Sequence, residues 1–268
     1  MDYTMQRNEI VEIGKRLHAK NYVAANDGNI SMRLSYNEIM ITPSGVSKGY
    51  MDSADMIVVD LSGNVIQGSK VPSSEIKMHL AVYQERGDVK AIVHAHPQKA
   101  TAFAVARIPI DKIALPEVVF SLGMVSLAEY GTPTTPALPR KVVDKICGAD
   151  ALILENHGAL TVGKDLMDAY YKMETLEHFC SIILYARQLG GEKFLDDAEA
   201  NKLFAIRKEV YGKEMPSCKG CGFCDSISGG ACRTGTAPLD NIPNNEALKE
   251  QIMRQTIEEV VRQVMANV

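Results

Sequence analysis

The sequence predicts an α/β (α+β) fold, a layered sandwich whose central, mostly antiparallel sheet is flanked by helices. Two observations predict it. Short apolar runs rich in Val and Ile are interspersed with segments of helical period, and hairpin signals lie between some of the runs. The chain also has 268 residues, 46% of them apolar, so it can bury the core of one main domain and still carry an appendage.

Helices are predicted where apolar residues recur every three or four positions. In the first such segment, Ile10, Ile13 and Leu17 lie near one face of a helix. The predicted helices are residues 7–20, 75–85, 98–106, 139–147 and 165–189.

Strands are predicted where a short apolar run meets a turn signal. The turn at residues 26–29 precedes the first run, and Leu61-Ser62-Gly63 separates two others as a hairpin. The predicted strands are residues 30–34, 39–41, 57–60, 64–66, the run 91–93 that continues to His94 and His96, and the run 151–154 that precedes His157.

Charge and hydropathy exclude several classes of partner. The net charge of −4 and the lack of any Lys/Arg-rich run argue against a nucleic-acid surface. The polar start of the chain does not match a secretory signal, and no apolar run approaches the length of a membrane span. We therefore expect a cytoplasmic protein with no membrane contact, whose six cysteines are thiols or metal ligands instead of disulfides.

The composition changes near residue 213 and predicts three parts: a main domain, residues 1–212, a linker, residues 213–245, and a helix, residues 246–268. The linker is rich in Gly, Ser, Pro and Cys and lacks apolar periodicity. In the helix, apolar residues at three- and four-residue spacing form one stripe. The stripe could pack on the main domain, but the length of the linker favours a separately docking helix.

Three histidines and a glutamate form the most informative chemical pattern. His94 and His96 follow one apolar run, His157 follows another, and Glu75 begins a predicted helix. Side chains at i and i+2 of a strand point to the same face, so His94 and His96 can reach one ion. Three imidazoles and a carboxylate are the ligands that a catalytic zinc-like ion prefers. Each histidine alone is more typical of a surface residue or a hydrogen-bonded core residue.

Three polar segments offer the donors that bind a phosphate group. They are Gly28-Asn29, Ser44-Gly45 and Ser73-Ser74. Glycine lets the backbone approach an anion, and the free N–H groups at a helix start, where Ser73 and Ser74 lie, favour negative charge. Because each segment alone is also typical of turns and caps, a phosphate site depends on their converging near Glu75.

Five motifs occur in the order found in one protein family. They are Asn26-Asp27-Gly28-Asn29-Ile30-Ser31, Ile41-Thr42-Pro43-Ser44-Gly45, Pro72-Ser73-Ser74-Glu75, His94-Ala95-His96 and Asn156-His157-Gly158. Through them, residues 5–212 resemble the class II sugar-phosphate aldolases of the aldolase II/adducin group, most closely the fuculose-phosphate branch. The chain keeps the metal ligands that the non-enzymatic adducin branch lacks.

The resemblance implies a reaction and a site. The reaction is retro-aldol cleavage of L-fuculose 1-phosphate, or also of L-rhamnulose 1-phosphate, to dihydroxyacetone phosphate and lactaldehyde. The implied site has one Zn²⁺ on His94, His96 and His157, with Glu75 near the metal and moving the substrate proton. The implied phosphate ligands are Gly28, Asn29, Ser44, Gly45, Ser73 and Ser74. The resemblance also implies a homotetramer with active sites between subunits.

Two further residues are expected to act as acids. Tyr211 matches a tyrosine that closes over the site in the fuculose-phosphate branch, with ordinary packing as the equal alternative. That branch uses a second tyrosine from a neighbouring subunit, and Glu117 takes its place here. This departure leaves the acid and the substrate open. An L-ribulose-5-phosphate 4-epimerase, another sugar-phosphate lyase and a non-catalytic assembly component stay as alternatives.

The C-terminal part carries two further signals. The helix of residues 246–268 resembles the encapsulation peptides of bacterial microcompartments, which implies a shell protein as partner and the compartment lumen as location. The linker cysteines have a spacing similar to that of zinc or iron–sulfur ligands and predict a second zinc ion or a cluster, with redox-active thiols as the alternative. These cysteines are Cys218, Cys221, Cys224 and Cys232.

Overall fold

The computed structural model of the chain describes residues 2–213, which fold around one eight-stranded sheet. The predicted helix of residues 246–268, the four linker cysteines and nearly all of the predicted linker lie outside the described residues. None of the helices within residues 2–213 combines the length and the apolar character that a membrane span needs.

The helices of the described part have well-defined starts and ends. They are α1 (Thr4–Ala19), α2 (Ile76–Glu85), α3 (Gln98–Ala106), α4 (Pro116–Ser121), α5 (Ala137–Ile146), α6 (Leu166–Gln188) and α7 (Asp197–Tyr211). The strands are β1 (Asn29–Arg33), β2 (Glu38–Ile41), β3 (Ile57–Asp60), β4 (Val65–Gln67), β5 (Ala91–Ala95), β6 (Val125–Ala128), β7 (Ala151–Leu154) and β8 (Gly158–Gly163).

The sheet is mostly antiparallel, with the strand order β4-β3-β2-β1-β5-β8-β7-β6. Only β6 and β7 pair in parallel among these neighbours. The two long-range pairings at the centre join β5 to β1 and to β8, with His94 opposite Asn29 on one side and opposite Leu160 on the other. The expected sheet with flanking helices is therefore confirmed.

Helices cover both faces of the sheet because successive side chains of a strand point to opposite sides. Val93 packs into a core with residues of α1, α3 and α6, whereas its neighbour Ile92 packs into a core with residues of α2 and α5. The central strand β5 is buried along its whole length. The result is a three-layer arrangement, and the site residues lie where the central strands end.

A buried group of charges fixes the start of β7. Asp150 lies just before β7 and accepts hydrogen bonds from Arg86, next to α2, at 3.0 Å and from Lys172 of α6 at 2.9 Å. Arg86 also donates to the carbonyl of Ile146 at 2.9 Å. Buried cations are tolerated when they are paired and hydrogen-bonded, so this network ties helices of both layers to one strand.

Several elements differ from the sequence prediction. The strands β6 and β8 and the helices α4 and α7 were not predicted. His157 was expected at the end of a single strand. It lies in the three-residue turn between β7 and β8, so two antiparallel strands fix its position. The run that forms β8 is bounded by Gly158 and Gly163, and its pairing with β5 is a long-range contact that local periodicity does not show.

Candidate active site

His94, His96, His157 and Glu75 converge on one point. Nε2 of His94 lies 3.2 Å from Nε2 of His96 and 3.1 Å from Oε2 of Glu75. The other carboxylate oxygen of Glu75 lies 3.2 Å from Nε2 of His157. Potential ligand atoms of the three histidines all lie within 4.8 Å of one another. The structure thus brings together the four residues that the sequence predicts as metal ligands.

These four residues come from three places in the fold. His94 is on β5, His96 follows the end of that strand, and His157 is in the β7–β8 turn. Glu75 is the residue immediately before α2. The cluster therefore depends on the pairing of the central strands and on the position of α2 against them.

The hydrogen bonds of two rings define which nitrogen faces the cluster. Nδ1 of His94 donates to the carbonyl of Ala159 at 2.9 Å, because a carbonyl oxygen only accepts. Nδ1 of His96 faces a carboxylate oxygen of Asp27 at 3.3 Å and is likewise the donor. In a neutral ring the other nitrogen then has a free lone pair, so both Nε2 atoms are available as ligands.

The donor set fits a divalent cation. Two lone-pair nitrogens 3.2 Å apart repel each other unless positive charge lies between them. Ligands bonded at about 2.0–2.1 Å to a tetrahedral zinc ion are about 3.3 Å apart, close to the separations seen here. The chemistry and the spacing of these side chains therefore suit a metal such as zinc.

The charge state of the cluster also favours a cation. Burial opposes ionisation of Glu75, but the rings of His94 and His157 hold the pKa of its carboxyl well below the usual range. Burial and the neighbouring His94 and His157 lower the pKa of His96 to about 4. At neutral pH Glu75 is thus ionised and His96 neutral, and although burial opposes protonation of His94, the Glu75 carboxylate raises the pKa of that ring. The cluster therefore draws positive charge, whether a proton or a metal ion, to this point.

Helix α3 supports the loops on both sides of the cluster. It begins two residues after His96, and Pro97 before it provides no side-chain cap. Glu177 of α6 fills that role, because its carboxylate accepts from the backbone N–H of Lys99 at 3.0 Å and of Ala100 at 2.9 Å. At the other end of α3, the backbone N–H of Asn156, next to His157, donates to Ala104 at 3.1 Å.

The three predicted phosphate segments converge beside Glu75. The chain after β2 pairs with the chain before α2, since Ser44 N–H donates to Val71 and Ser73 N–H donates to Thr42. Thr42 in turn exchanges hydrogen bonds with Ile30, next to Asn29. These contacts place Ser44-Gly45 and Ser73-Ser74 near the start of β1, as the sequence predicted they must be for a phosphate site.

A buried lysine that sequence reasoning missed joins two of these segments. Nζ of Lys48 donates to the carbonyl of Asn26 at 2.9 Å and to the carbonyl of Val46 at 2.6 Å. Its side chain is 1% exposed, and burial lowers its pKa to about 8. Lys48 therefore connects the loop before Asn29 to the loop after Gly45. A lone lysine in a turn-rich stretch gives no sequence signal for this role.

The side chain of Asn29 is buried and contacts Glu75, whereas a simple phosphate ligand would face the loops alone. It is 3% exposed, and its side-chain amide donates to Oε2 of Glu75 at 2.8 Å. The Asn29 side chain thus lies between the polar loops and the carboxylate, in contact with the predicted acid–base residue.

Glu117 and Tyr211 lie elsewhere in the single chain. Glu117 is exposed near the start of α4 and lines a surface cavity of about 560 Å³ together with Lys20, Lys99 and His178. Tyr211, at the end of α7, is 52% exposed and stacks on Phe120 of α4 with ring centroids 5.2 Å apart. Both predicted acids therefore belong to the α4–α7 corner, and neither is part of the histidine cluster.

Residues 8–184 match the family described as the Class II Aldolase and Adducin N-terminal domain. The chain belongs to this family. An L-fuculose phosphate aldolase from Methanococcus maripaludis is 35% identical over 178 residues, which cover 66% of this chain and 96% of the relative. A 3-oxo-tetronate 4-phosphate decarboxylase from Haemophilus influenzae is 31% identical over 204 residues, covering 74% of this chain and 95% of the relative.

A solved structure agrees with this assignment. The structure of an L-fuculose 1-phosphate aldolase matches with a TM-score of 0.69 and 31% identity, over 76% of this chain and 96% of the other. This member of the class II aldolase and adducin family is an enzyme of the aldolase and lyase type.

We predict that Gly158→Ala weakens metal binding. A Cβ at this position would lie 2.5 Å from Cδ2 of His96 and 2.6 Å from the carbonyl oxygen of Ala95, so the His96 ring would have to move. Displacing a ligand in this way is expected to lower zinc affinity about 10- to 100-fold, measured by competition with a chromogenic chelator.

Gly87→Ala is the matched control, because a Cβ there has no neighbour within 4 Å. It should keep the wild-type zinc affinity. Equal affinity of Gly158→Ala and wild-type protein would contradict the placement of His96 in a metal site.

Proposed function

We propose that this enzyme catalyses zinc-dependent retro-aldol cleavage of L-fuculose 1-phosphate to dihydroxyacetone phosphate and L-lactaldehyde, with L-rhamnulose 1-phosphate as a second substrate to be compared. The observation that carries the proposal is the cluster of three imidazoles and one carboxylate beside three converging polar loops. An L-fuculose phosphate aldolase among the relatives supports the choice of substrate.

In this proposal His94, His96 and His157 hold the metal, with Glu75 beside it. A bound zinc ion supplies a Lewis acid that stabilises negative charge on oxygens of the substrate. His94 and His96 are oriented for this task by the Ala159 carbonyl and by Asp27.

Glu75 is proposed to move the proton on the dihydroxyacetone phosphate carbon. In cleavage the C3–C4 bond breaks, the C4 hydroxyl loses its proton to become the aldehyde, and C3 keeps the electron pair and gains a proton. In the synthetic direction an ionised Glu75 accepts that C3 proton and releases it to water; in cleavage Glu75 takes a proton from water and delivers it to C3. Its lowered pKa suits the accepting state.

The substrate phosphate is proposed to bind the converging loops through Gly28, Ser44, Gly45, Ser73 and Ser74, with Asn29 at their inner edge. Ser73 and Ser74 precede α2, and the positive end of the helix dipole favours an anion at this start. Lys48 adds positive charge behind two of the loops.

We also propose a homotetramer in which Glu117 and Tyr211 of one subunit act at the histidine cluster of a neighbour. Their common location at the α4–α7 corner supports this, because one subunit contact can then supply both. In that position Glu117 or Tyr211 would take the proton from the C4 hydroxyl in cleavage.

Mixing two inactive variants tests this arrangement. Glu75→Gln and Glu117→Ala subunits co-expressed in one oligomer should recover about a quarter of wild-type activity, since random mixing gives that share of sites with both residues intact. Absence of recovery in verified mixed oligomers would show that Glu117 acts within its own subunit or does not act at all.

A second candidate function follows from the decarboxylase relative. A 3-oxo acid 4-phosphate decarboxylase also breaks a carbon–carbon bond on a phosphorylated substrate, and the Haemophilus influenzae protein covers this chain more fully than the fuculose-phosphate aldolase does. Decarboxylation releases CO₂ and yields no aldehyde, so the products distinguish the two candidates.

The test of the proposed function is product release from purified protein. We expect dihydroxyacetone phosphate from L-fuculose 1-phosphate, loss of this activity with a chelator and its return with Zn²⁺. Glu75→Gln should lower kcat by about 100- to 10,000-fold, because the proton-transfer group is removed. Glu85→Gln, at the exposed end of the same helix, should keep wild-type kcat.

No release from either deoxyketose phosphate, with zinc bound, would overturn the aldolase proposal. CO₂ release from a 3-oxo-tetronate 4-phosphate would then support the decarboxylase, and C4 inversion of L-ribulose 5-phosphate would support an epimerase.

For residues 246–268 we propose docking on a shell protein in the lumen of a bacterial microcompartment. The apolar stripe of this segment in the sequence supports the proposal.

A fluorescent reporter fused to residues 246–268 should gather into foci in cells that express the shell. Ile257→Asp, on the stripe, should abolish the foci, and Glu258→Gln, on the polar face, should not. A diffuse wild-type fusion would refute the proposal.

A further inference from the structure

A chain of buried hydrogen bonds runs from Glu75 into the protein interior. The Asn29 amide donates to Glu75 at 2.8 Å, and Oδ1 of Asn29 lies 2.6 Å from Nε2 of His79. Nδ1 of His79 lies 2.6 Å from the hydroxyl of Ser31, which lies 2.9 Å from the hydroxyl of Tyr83. His79 and Ser31 are fully buried, and Asn29 and Tyr83 nearly so.

This series of hydrogen bonds alternates between α2 and β1, because residues four apart on the helix and two apart on the strand repeat at a similar spacing. His79 and Tyr83 share one face of α2, and Glu75, four residues before His79, lies at the start of the helix on the same side. Asn29 and Ser31 are two residues apart and share one face of β1. The strand residues insert between the helix residues, so the order in space is Glu75, Asn29, His79, Ser31, Tyr83.

The direction of every hydrogen bond follows from the first one. An ionised carboxylate only accepts, so the nitrogen of the Asn29 amide must face Glu75 and its oxygen must face His79. Nε2 of His79 must then donate, which leaves Nδ1 without a proton. Nδ1 therefore accepts from the Ser31 hydroxyl.

The far end of the chain is consistent with this direction. Since the proton of Ser31 is used toward His79, the Tyr83 hydroxyl is the donor to Ser31. Burial lowers the pKa of His79 to about 3, so the ring stays neutral at physiological pH. Aligned donors of this kind strengthen one another in a low-dielectric interior.

We propose that His79 is a positioning residue for Glu75: as the Nε2–H tautomer it holds the amide of Asn29 with its N–H toward the carboxylate. An asparagine amide can rotate by half a turn, and the rotated form would aim its oxygen at the negative charge of Glu75. His79 excludes that form, because its Nε2–H needs the amide oxygen. The inference rests on the proposed acid–base role of Glu75.

The tautomer of His79 is the first measurement. Neutron diffraction, or ¹⁵N NMR of histidine-labelled wild-type protein, is expected to show the proton on Nε2 and none on Nδ1. A proton on Nδ1 would overturn the proposal. This measurement does not depend on which substrate the enzyme uses.

Kinetics of two variants test the effect on Glu75. In His79→Phe the ring volume stays and both nitrogens are lost, so kcat should fall about 10- to 100-fold while KM changes less than about threefold. In His79→Gln the side-chain amide can still donate near the Nε2 position, so it should restore most of the lost kcat. Thermal unfolding of both variants shows how much stability each loses.

Thr161→Val is the control for a merely structural role. The buried Thr161 hydroxyl donates to the carbonyl of Ala169 at 2.8 Å, outside the chain described above, so its loss should lower thermal stability and leave kcat unchanged. Wild-type kcat in folded His79→Phe, or failure of His79→Gln to improve on it, would overturn the proposal.

If wild-type protein released no dihydroxyacetone phosphate, the proposed function would fail by itself. The Nε2–H tautomer would then still confirm that His79 orients Asn29, and the Nδ1–H tautomer would still refute it.

Discussion

The buried carboxylate of Glu75 is the constraint on which the rest of the site depends. Its side chain is 10% exposed, and an ionised carboxylate removed from water needs compensating partners. The rings of His94 and His157 lie within 3.2 Å of its two oxygens on one side, and the amide of Asn29 donates to it on the other. These partners come from β5, the β7–β8 turn and β1, so the charge can be held only when the whole centre of the sheet is formed.

The same requirement explains why so many polar groups support this end of the sheet. Glu177 holds the start of α3 behind His96, and Asp150 holds Arg86 and Lys172 behind β7. Glu177 links α6 to α3 on one face of the sheet, and Asp150 links Arg86, next to α2, to Lys172 of α6 on the opposite face. Because such groups destabilise the protein when a partner is missing, they also penalise any alternative packing of the helices around the cluster.

Much of this arrangement could be predicted from the sequence, for local reasons. The i, i+2 spacing of His94 and His96, the helix of residues 98–106 and the hairpin of β3 and β4 all follow from short-range periodicity. The fold class follows from the mixture of strand runs, helical periods and hairpin signals, and the family follows from the order of the motifs.

The parts that could not be predicted depend on contacts between distant residues. Glu177 caps a helix that begins about eighty positions earlier in the chain, and no local pattern shows this. The four-residue spacing of Glu75 and His79 is visible in the sequence, but their link through Asn29 depends on how α2 lies on β1. The locations of Glu117 and Tyr211 depend on how α4 packs on α7, which local periodicity does not show.

The hydrogen bonds of Lys48 to two loops affect the free energy of binding at those loops. Its ammonium holds main-chain carbonyls of two loops, so the shape of those loops is set when the protein folds. Ordering a flexible backbone opposes association by about 1–2 kcal/mol per residue. Loops that are already rigid avoid this loss, so the phosphate group proposed to bind there would meet a preorganised receptor instead of having to create one.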